Sequence, residues 1–283
     1  MREIIFSEII SWIEDNLNKN INAEAIEQIS GYSSRHVFNM FRQYIGMSPG
    51  RYIRQRRLCK AAYLLRLTNQ KIIDISCLLH FDSQQSFCRE FKKLFGCSPR
   101  HYRQAPYWDF AGLLPPYSPG NGLLPKFEFC SLQECILFGY SVSYDEMVLE
   151  KGHKSNVLRY DAVVKNLTYC QRDILMCTRY SPVPGVIDKL SINTFVGVTG
   201  SPADTALLAK EYHCEGGDYI KMRFTGTWDE YYRFTVLVYS NVLPALKIKR
   251  RDDVDIEHFH FIKNEEKYST LTCDYYIPVV RSL

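Results

Sequence analysis

The chain contains one stretch twice. GYSSRHVFNMFRQYIGMSPG, from Gly31, overlays HFDSQQSFCREFKKLFGCSPR, from His80, with a constant offset of fifty residues from Ser33 and Ser83 onward. Phe41 then meets Phe91, Gly46 meets Gly96, Ser48-Pro49 meets Ser98-Pro99 and Tyr52 meets Tyr102. Such self-similarity means one supersecondary unit used two times. Each copy has the pattern of a short helix, a tight turn and a second helix. Between the copies, SPGRYIRQRRLCKAAYLLRLT predicts a single long helix with Tyr52, Ile53, Leu58, Ala61, Ala62 and Leu65 as its apolar positions, so the two units are held at a fixed separation. Ahead of them, Ile5, Ile9, Trp12, Ile13 and Leu17 recur at three and four residues, and a second helix starts near Ala23, capped by Asn22 and stopped at Gly31.

The second helix of each copy carries the chemistry. With Ser83 as N-cap and about 100° per residue, Phe87, Phe91, Leu94 and Phe95 share the core face of the later helix. Gln85, Cys88, Arg89 and Lys92 fall on the outer face, and Gln84 on the exposed first turn. A solvated polar face is the bland reading. Glutamine, however, bonds an adenine edge through two atoms, and arginine forks onto guanine O6 and N7, from a rigid helix in the major groove. In the earlier copy Val37, Met40, Phe41, Tyr44 and Ile45 form the core face, leaving Arg35, Phe38, Asn39 and Arg42 outward. Phe38 either meets a thymine methyl group or belongs to the core of a slightly rolled helix. Arg51, Arg54, Arg56, Arg57 and Lys60 flank the connecting helix, where some would contact phosphates and others pair with acids across the bundle.

Charge supports the same division. Residues 1–107 hold 16 Lys/Arg against 9 Asp/Glu, a balance of +7, and the remainder holds 19 against 22, a balance of −3. A localised basic excess is the footprint of a nucleic-acid binder, although many basic surfaces are merely solvated. The boundary falls in APYWDFAGLLPPYSPGNGLLP, residues 105–125, whose five prolines and three glycines prevent a continuing helix or central strand. This divides the chain into a helical domain (1–107), a Pro/Gly-rich linker (108–125) that packs along a surface, and a second domain (126–283). The ten cysteines show no CxxC pair and read as reduced thiols. With no h-region of a signal peptide and no long apolar run, the expected location is the cytoplasm, away from membranes.

The second domain alternates like an antiparallel sheet: ILFGYSVSY, TFVGVTGS, YIKMRFTG, DIEHFHFI and LTCDYYIPV, the last with Leu271, Cys273, Tyr275, Ile277 and Val279 on one face. Helices interrupt it over about 155–167 and from Thr227, where Thr227 and Glu230 have capping-box spacing. No Ser-His-Asp, phosphate-loop or metal-ligand spacing is apparent, so no catalytic residue, cofactor or metal is assigned. His258 and His260 share a strand face, but without a third ligand they are poor grounds for a metal site.

GYSSRHVFNMFRQYIG, YIRQRRL and FDSQQSFCREFKKLFGCSPRHYR together resemble the AraC/XylS-type transcription regulators over residues 1–103. The whole chain is similar to the two-domain members, in which a GyrI-like domain follows the linker. The resemblance implies an all-α N-terminal domain with two helix-turn-helix units and an α+β C-terminal domain with an antiparallel sheet. It also implies an activator that binds an asymmetric duplex site as a monomer, its two reading helices in successive major grooves about 34 Å apart, and that recruits RNA polymerase. Gln84, Gln85 and Arg89 match the family's second reader; Arg35, Phe38 and Asn39 stand where close relatives usually show Trp, Gln and Arg, and His80 replaces a frequent Gly.

EGGDYIKMRFTGTW and DIEHF are similar to the GyrI-like domain, where a groove of aromatics around a carboxylate takes amphipathic or cationic small molecules. That likeness implies Glu257 as the carboxylate, with Tyr219 and Trp228 in support. A carboxylate among apolar groups needs a partner, which a cationic ligand would supply. The reading from another class is an enzyme or ligand-sequestering protein, with Glu257 as general base for hydrolysis.

Overall fold

The computed structural model describes residues 2–118, 124–148, 154–187, 189–200, 210–263 and 269–280. The tip of the linker and Ser201, at the end of one expected strand, lie outside them. Seven helices are described ahead of the linker: α1 (Arg2–Asp15), α2 (Ala23–Ser30), α3 (Ser34–Tyr44), α4 (Pro49–Leu67), α5 (Ile72–Leu78), α6 (Gln84–Phe95) and α7 (Pro99–Gln104). Their ends follow local chemistry. Asn22, Ser48, Ser83 and Ser98 each accept from an early backbone N–H of the helix they precede, and Pro49 and Pro99 occupy first-turn positions where no donor is required. Gly31 and Gly96 end α2 and α6 at φ of 69° and 76°, a left-handed geometry that is free of Cβ conflict only in glycine. His80 adopts the same region at φ 55°, and its ring contacts the Asn18 carbonyl at 3.1 Å.

Each repeat builds its own core. In the first, Phe6, Ile9 and Ile13 of α1 meet Ile26, Val37, Phe41 and Tyr52. In the second, Ile75, Phe87, Phe91 and Tyr102 gather on Leu58, Ala62 and Leu65 of α4. The α4 helix therefore serves both cores, as the spacing of its apolar residues requires.

Beyond the linker, α8 (Lys154–Cys170) and α9 (Trp228–Leu237) accompany an antiparallel sheet. Its strands are β2 (Phe127–Leu132), β3 (Cys135–Met147), β4 (Ile174–Pro182), β5 (Lys189–Thr199), β6 (Lys210–Cys214), β7 (Gly217–Gly226), β9 (Asp255–Phe259) and β10 (Leu271–Pro278). Over the described residues the order is β2-β7-β10-β9-β4-β5-β3-β6. The capping box at Thr227 forms as expected, with Thr227 and Glu230 bonding reciprocally. After α9 the chain widens into a π-turn, Val238–Val242, which carries Tyr239.

The linker is more structured than its prolines imply. Tyr107–Asp109 forms β1 and pairs antiparallel with β8 (Lys249–Arg251) of the second half. Trp108, Phe110 and Leu113 are buried in the same core as Phe87 and Phe91 of the second repeat and Ile220, Met222, Tyr275 and Ile277 of the sheet. The physical reason is local: the prolines flank this segment without interrupting it, so its donors are free to pair at a sheet edge. The two halves consequently share one hydrophobic core.

Candidate nucleic-acid interface and effector pocket

The outward faces of α3 and α6 are built alike. On α6, Phe87 and Phe91 are fully buried, Leu94 and Phe95 are half-buried, and Ser83, Gln84, Gln85, Arg89 and Lys92 are exposed. The Ser83 hydroxyl accepts from Ser86 N at 3.1 Å. On α3, Val37, Met40 and Phe41 are buried, whereas Arg35, Phe38, Asn39 and Arg42 are exposed. Phe38 keeps 45% of its surface accessible, so it stands on the outer face instead of joining the core. At the head of α3 the Glu27 carboxylate accepts from Ser34 N; Ser33 itself makes no side-chain cap. The 19 residues of α4 span about 28 Å at 1.5 Å per residue.

The α4 cations divide into two kinds. Arg51 is exposed at the first turn. Arg54 instead holds both carboxylate oxygens of Glu90 and lies 5.0 Å over the Phe81 ring. Arg57 donates to the carbonyls of Leu17, at 3.0 Å, and Lys19, at 2.7 Å. These two, expected among the phosphate contacts, have their guanidinium groups committed inside the helical domain. Arg56, 9% exposed, pairs with Glu14 at 2.8 and 2.9 Å.

On the helix-covered side of the sheet lies a cavity of about 330 Å³, lined by Tyr63 and Leu67 of α4, by Trp108 of the linker and by Tyr144, Arg159, Tyr180, Trp228, Tyr231 and Tyr239 from the second half. Behind its wall sits Glu257, 1% exposed. Arg159 from α8 bonds both oxygens, Tyr231 donates at 2.8 Å and Thr178 at 3.2 Å. Burial works against the Arg159 charge, but the facing Glu257 carboxylate outweighs it and holds the guanidinium protonated. Burial pushes the Tyr231 phenol well above its ordinary range, which keeps it a donor. The partner expected from a cationic ligand is therefore supplied by the chain itself.

Two residues before Glu257, Asp255 faces the same side with no exposed surface, bonded by Arg250 at 2.9 Å and by Tyr239 and Tyr275 at 2.7 Å. In the cavity wall, Glu146 Oε1 and Arg159 Nε are buried without a hydrogen-bond partner among the described residues. These two orphans were not anticipated; buried polar atoms of this kind are commonly satisfied by water or ligand.

Trp228 lines the cavity, packed 5.4 Å from Tyr231 and 5.6 Å from Tyr160. Tyr219 does not. Successive strand residues point to opposite faces, and Ile220 and Met222 face the shared core, so Tyr219 points the other way, among Cys177, Phe195, Cys214 and Tyr276. Also on that opposite face, Asp173 joins His258 and His260, supplying the third group that the two histidines lacked in sequence.

The paired helix-turn-helix units, joined to a sheet with a tyrosine-walled cavity, mark a helix-turn-helix DNA-binding protein with a second, sheet-built half. Residues 27–105 match the profile of a helix-turn-helix domain, and residues 180–280 that of a GyrI-like small molecule binding domain. The chain is 32% identical over 283 residues to the F1 operon positive regulatory protein of Yersinia pestis, covering 99% of this chain and 89% of that one. It is 29% identical over 284 residues to the Right origin-binding protein of Escherichia coli (strain K12), with 98% of each covered. The HTH-type transcriptional activator AarP of Providencia stuartii is 48% identical over 99 residues, 35% of this chain and 73% of its own. The chain belongs to the AraC-type transcription regulators, in the group that joins the paired helix-turn-helix units to a GyrI-like domain. None of the described helices is long and apolar enough to cross a membrane.

Proposed function

We propose that the protein is a transcription activator of the cytoplasm that binds an asymmetric duplex site as a monomer, sets α3 and α6 into successive major grooves and recruits RNA polymerase. The observation that carries this is the matched pair of exposed polar faces, each anchored by buried aromatics and spaced by one uninterrupted helix. Gln84, Gln85 and Arg89 read bases from α6, and Arg35, Phe38 and Asn39 from α3. Ser83, Arg42, Arg51 and Lys92 set the register on phosphates.

The cavity takes a compact amphipathic effector. Its aromatic wall covers the apolar body, Glu146 accepts from a donor or cationic end, and Arg159 Nε donates to an acceptor. Because the cavity is walled by α4 and Trp108 as well as by the sheet, occupancy acts on the seam between the halves. A catalytic role for Glu257 is disfavoured, since a general base must reach its proton and this carboxylate is closed in by Arg159, Tyr231 and Thr178.

The test is selection of binding duplexes from a random pool, followed by transcription with purified RNA polymerase on the selected site. One asymmetric two-part motif bound by one chain, with transcription raised, is expected. A palindromic motif bound by two chains would overturn the monomer reading.

A further inference from the structure

We propose that His258, His260 and Asp173 form a binding site for one divalent transition-metal ion of the zinc class, on the sheet face opposite the effector pocket. The two histidines stand two residues apart at the end of β9, so they share a face. Asp173 immediately precedes β4, which pairs with β9 by opposing Ile174 to Phe259. That register delivers the carboxylate to the histidines. Asp173 Oδ2 lies 2.9 Å from His258 Nε2 and 3.0 Å from His260 Nδ1, and the three donor atoms lie within 4.8 Å of one another.

Zinc bonds of about 2.0–2.2 Å in tetrahedral geometry put neighbouring ligand atoms roughly 3.3 Å apart. The two carboxylate–imidazole separations have to open by only a few tenths of an ångström to admit the metal. Two imidazoles and one carboxylate suit zinc, cobalt or nickel, and not calcium or magnesium, which prefer oxygen alone. Three protein ligands leave a fourth position for water.

The surroundings fit a ligating set. The far nitrogen of His260 meets Asp274 Oδ2 at 3.1 Å, and Asp274 is itself fixed by Arg223 at 2.7 and 2.8 Å. A carboxylate behind a histidine in this way fixes the ring's orientation and raises its basicity toward a metal. The second oxygen of Asp173 accepts from Phe261 N at 2.8 Å, which holds the first oxygen toward the rings. The side chains of Asp173, His258 and His260 retain 43%, 29% and 25% exposure, enough for an ion to enter from solvent.

The full-length protein, stripped with a chelator and kept reduced, is titrated with ZnCl2 against a chromophoric competitor. The wild type is expected to bind one more zinc per chain than the His258→Gln/His260→Gln variant. Asp173→Asn lowers that site's affinity at least tenfold, and Asp274→Asn lowers it about 10- to 100-fold. Zinc raises the thermal midpoint of the wild type but not that of the double variant. Equal zinc stoichiometry in wild type and variant overturns the proposal. Should the variants fail to fold, zinc-edge X-ray absorption of the loaded wild type decides. A nitrogen and oxygen shell supports the site, and a sulfur shell, from the cysteines, overturns it.

Discussion

Arg159 holds both oxygens of Glu257 from a helix 98 residues earlier in the chain, closing an ion pair behind the tyrosine-walled cavity. Removing one partner of a buried pair leaves an uncompensated charge and typically costs about 3–5 kcal/mol. Urea denaturation of Arg159→Ala should show a loss of this size. An Arg159→Met/Glu257→Met variant should recover most of it, because apolar replacement of both charges is often neutral. Equal losses in the single and double variants would show that packing, and not charge, sets the cost.

Base reading by α6 predicts position-specific effects. Gln85→Ala and Arg89→Ala should each lower discrimination at one or two adjacent base pairs by about 1–3 kcal/mol, measured by competition among single-base variants of the selected site. Lys92→Ala should weaken all duplexes alike. Unchanged base preference in both α6 variants would reduce this helix to a backbone contact.

The two kinds of α4 arginine separate by salt. Replacing Arg51, exposed at the first turn, should reduce the slope of log affinity against log salt by about one. Arg57→Ala should leave that slope unchanged while lowering urea stability, since its hydrogen bonds go to Leu17 and Lys19. A slope change in Arg57→Ala equal to that in Arg51→Ala would return Arg57 to the phosphate contacts.

The histidine cluster predicts acid sensitivity in the metal-free protein. Burial, and then the neighbouring His260, lower the pKa of His258 in the folded state. Its contribution to stability is therefore complete above the unfolded histidine value of about 6.5 and is lost as pH falls through the lower folded value. Asp173 is also lowered: burial opposes its charge, but the Phe261 amide and the two histidines outweigh that, so its contribution is lost only at more acidic pH. Denaturant midpoints at pH 7 and pH 5 should differ less in His258→Gln than in the wild type. An equal or larger fall in the variant would contradict this assignment.

Much of the helical half was legible because its signals are local. Caps at Asn22 and Ser83, glycine stops and three-four periodicity fix α2 and α6 within a residue or two, and the repeat removes most of the ambiguity in α3. Exposure of Phe38 needed the packed structure, since a small roll of α3 decides it. In the second half Glu257 was found through likeness, but its partner was not, because nothing near Arg159 in sequence encodes the orientation of α8 over β9. Asp255 and Glu257, two apart on a buried strand face, were a signal that two cations must converge there. Tyr219 is turned away from the cavity because its neighbour Ile220 holds the core-facing position on the strand. Asp173 is not legible beside the histidines in sequence, because strand pairing, not spacing, brings it to them.

The burial of Trp108, Phe110, Ile220 and Tyr275 in one cluster has a hydrodynamic consequence. Two modules tethered by a supple chain reorient separately, and each reports the tumbling time of its own mass. Here one buried cluster joins the helix-turn-helix units to the sheet, so the chain is expected to tumble with the single correlation time of its whole mass.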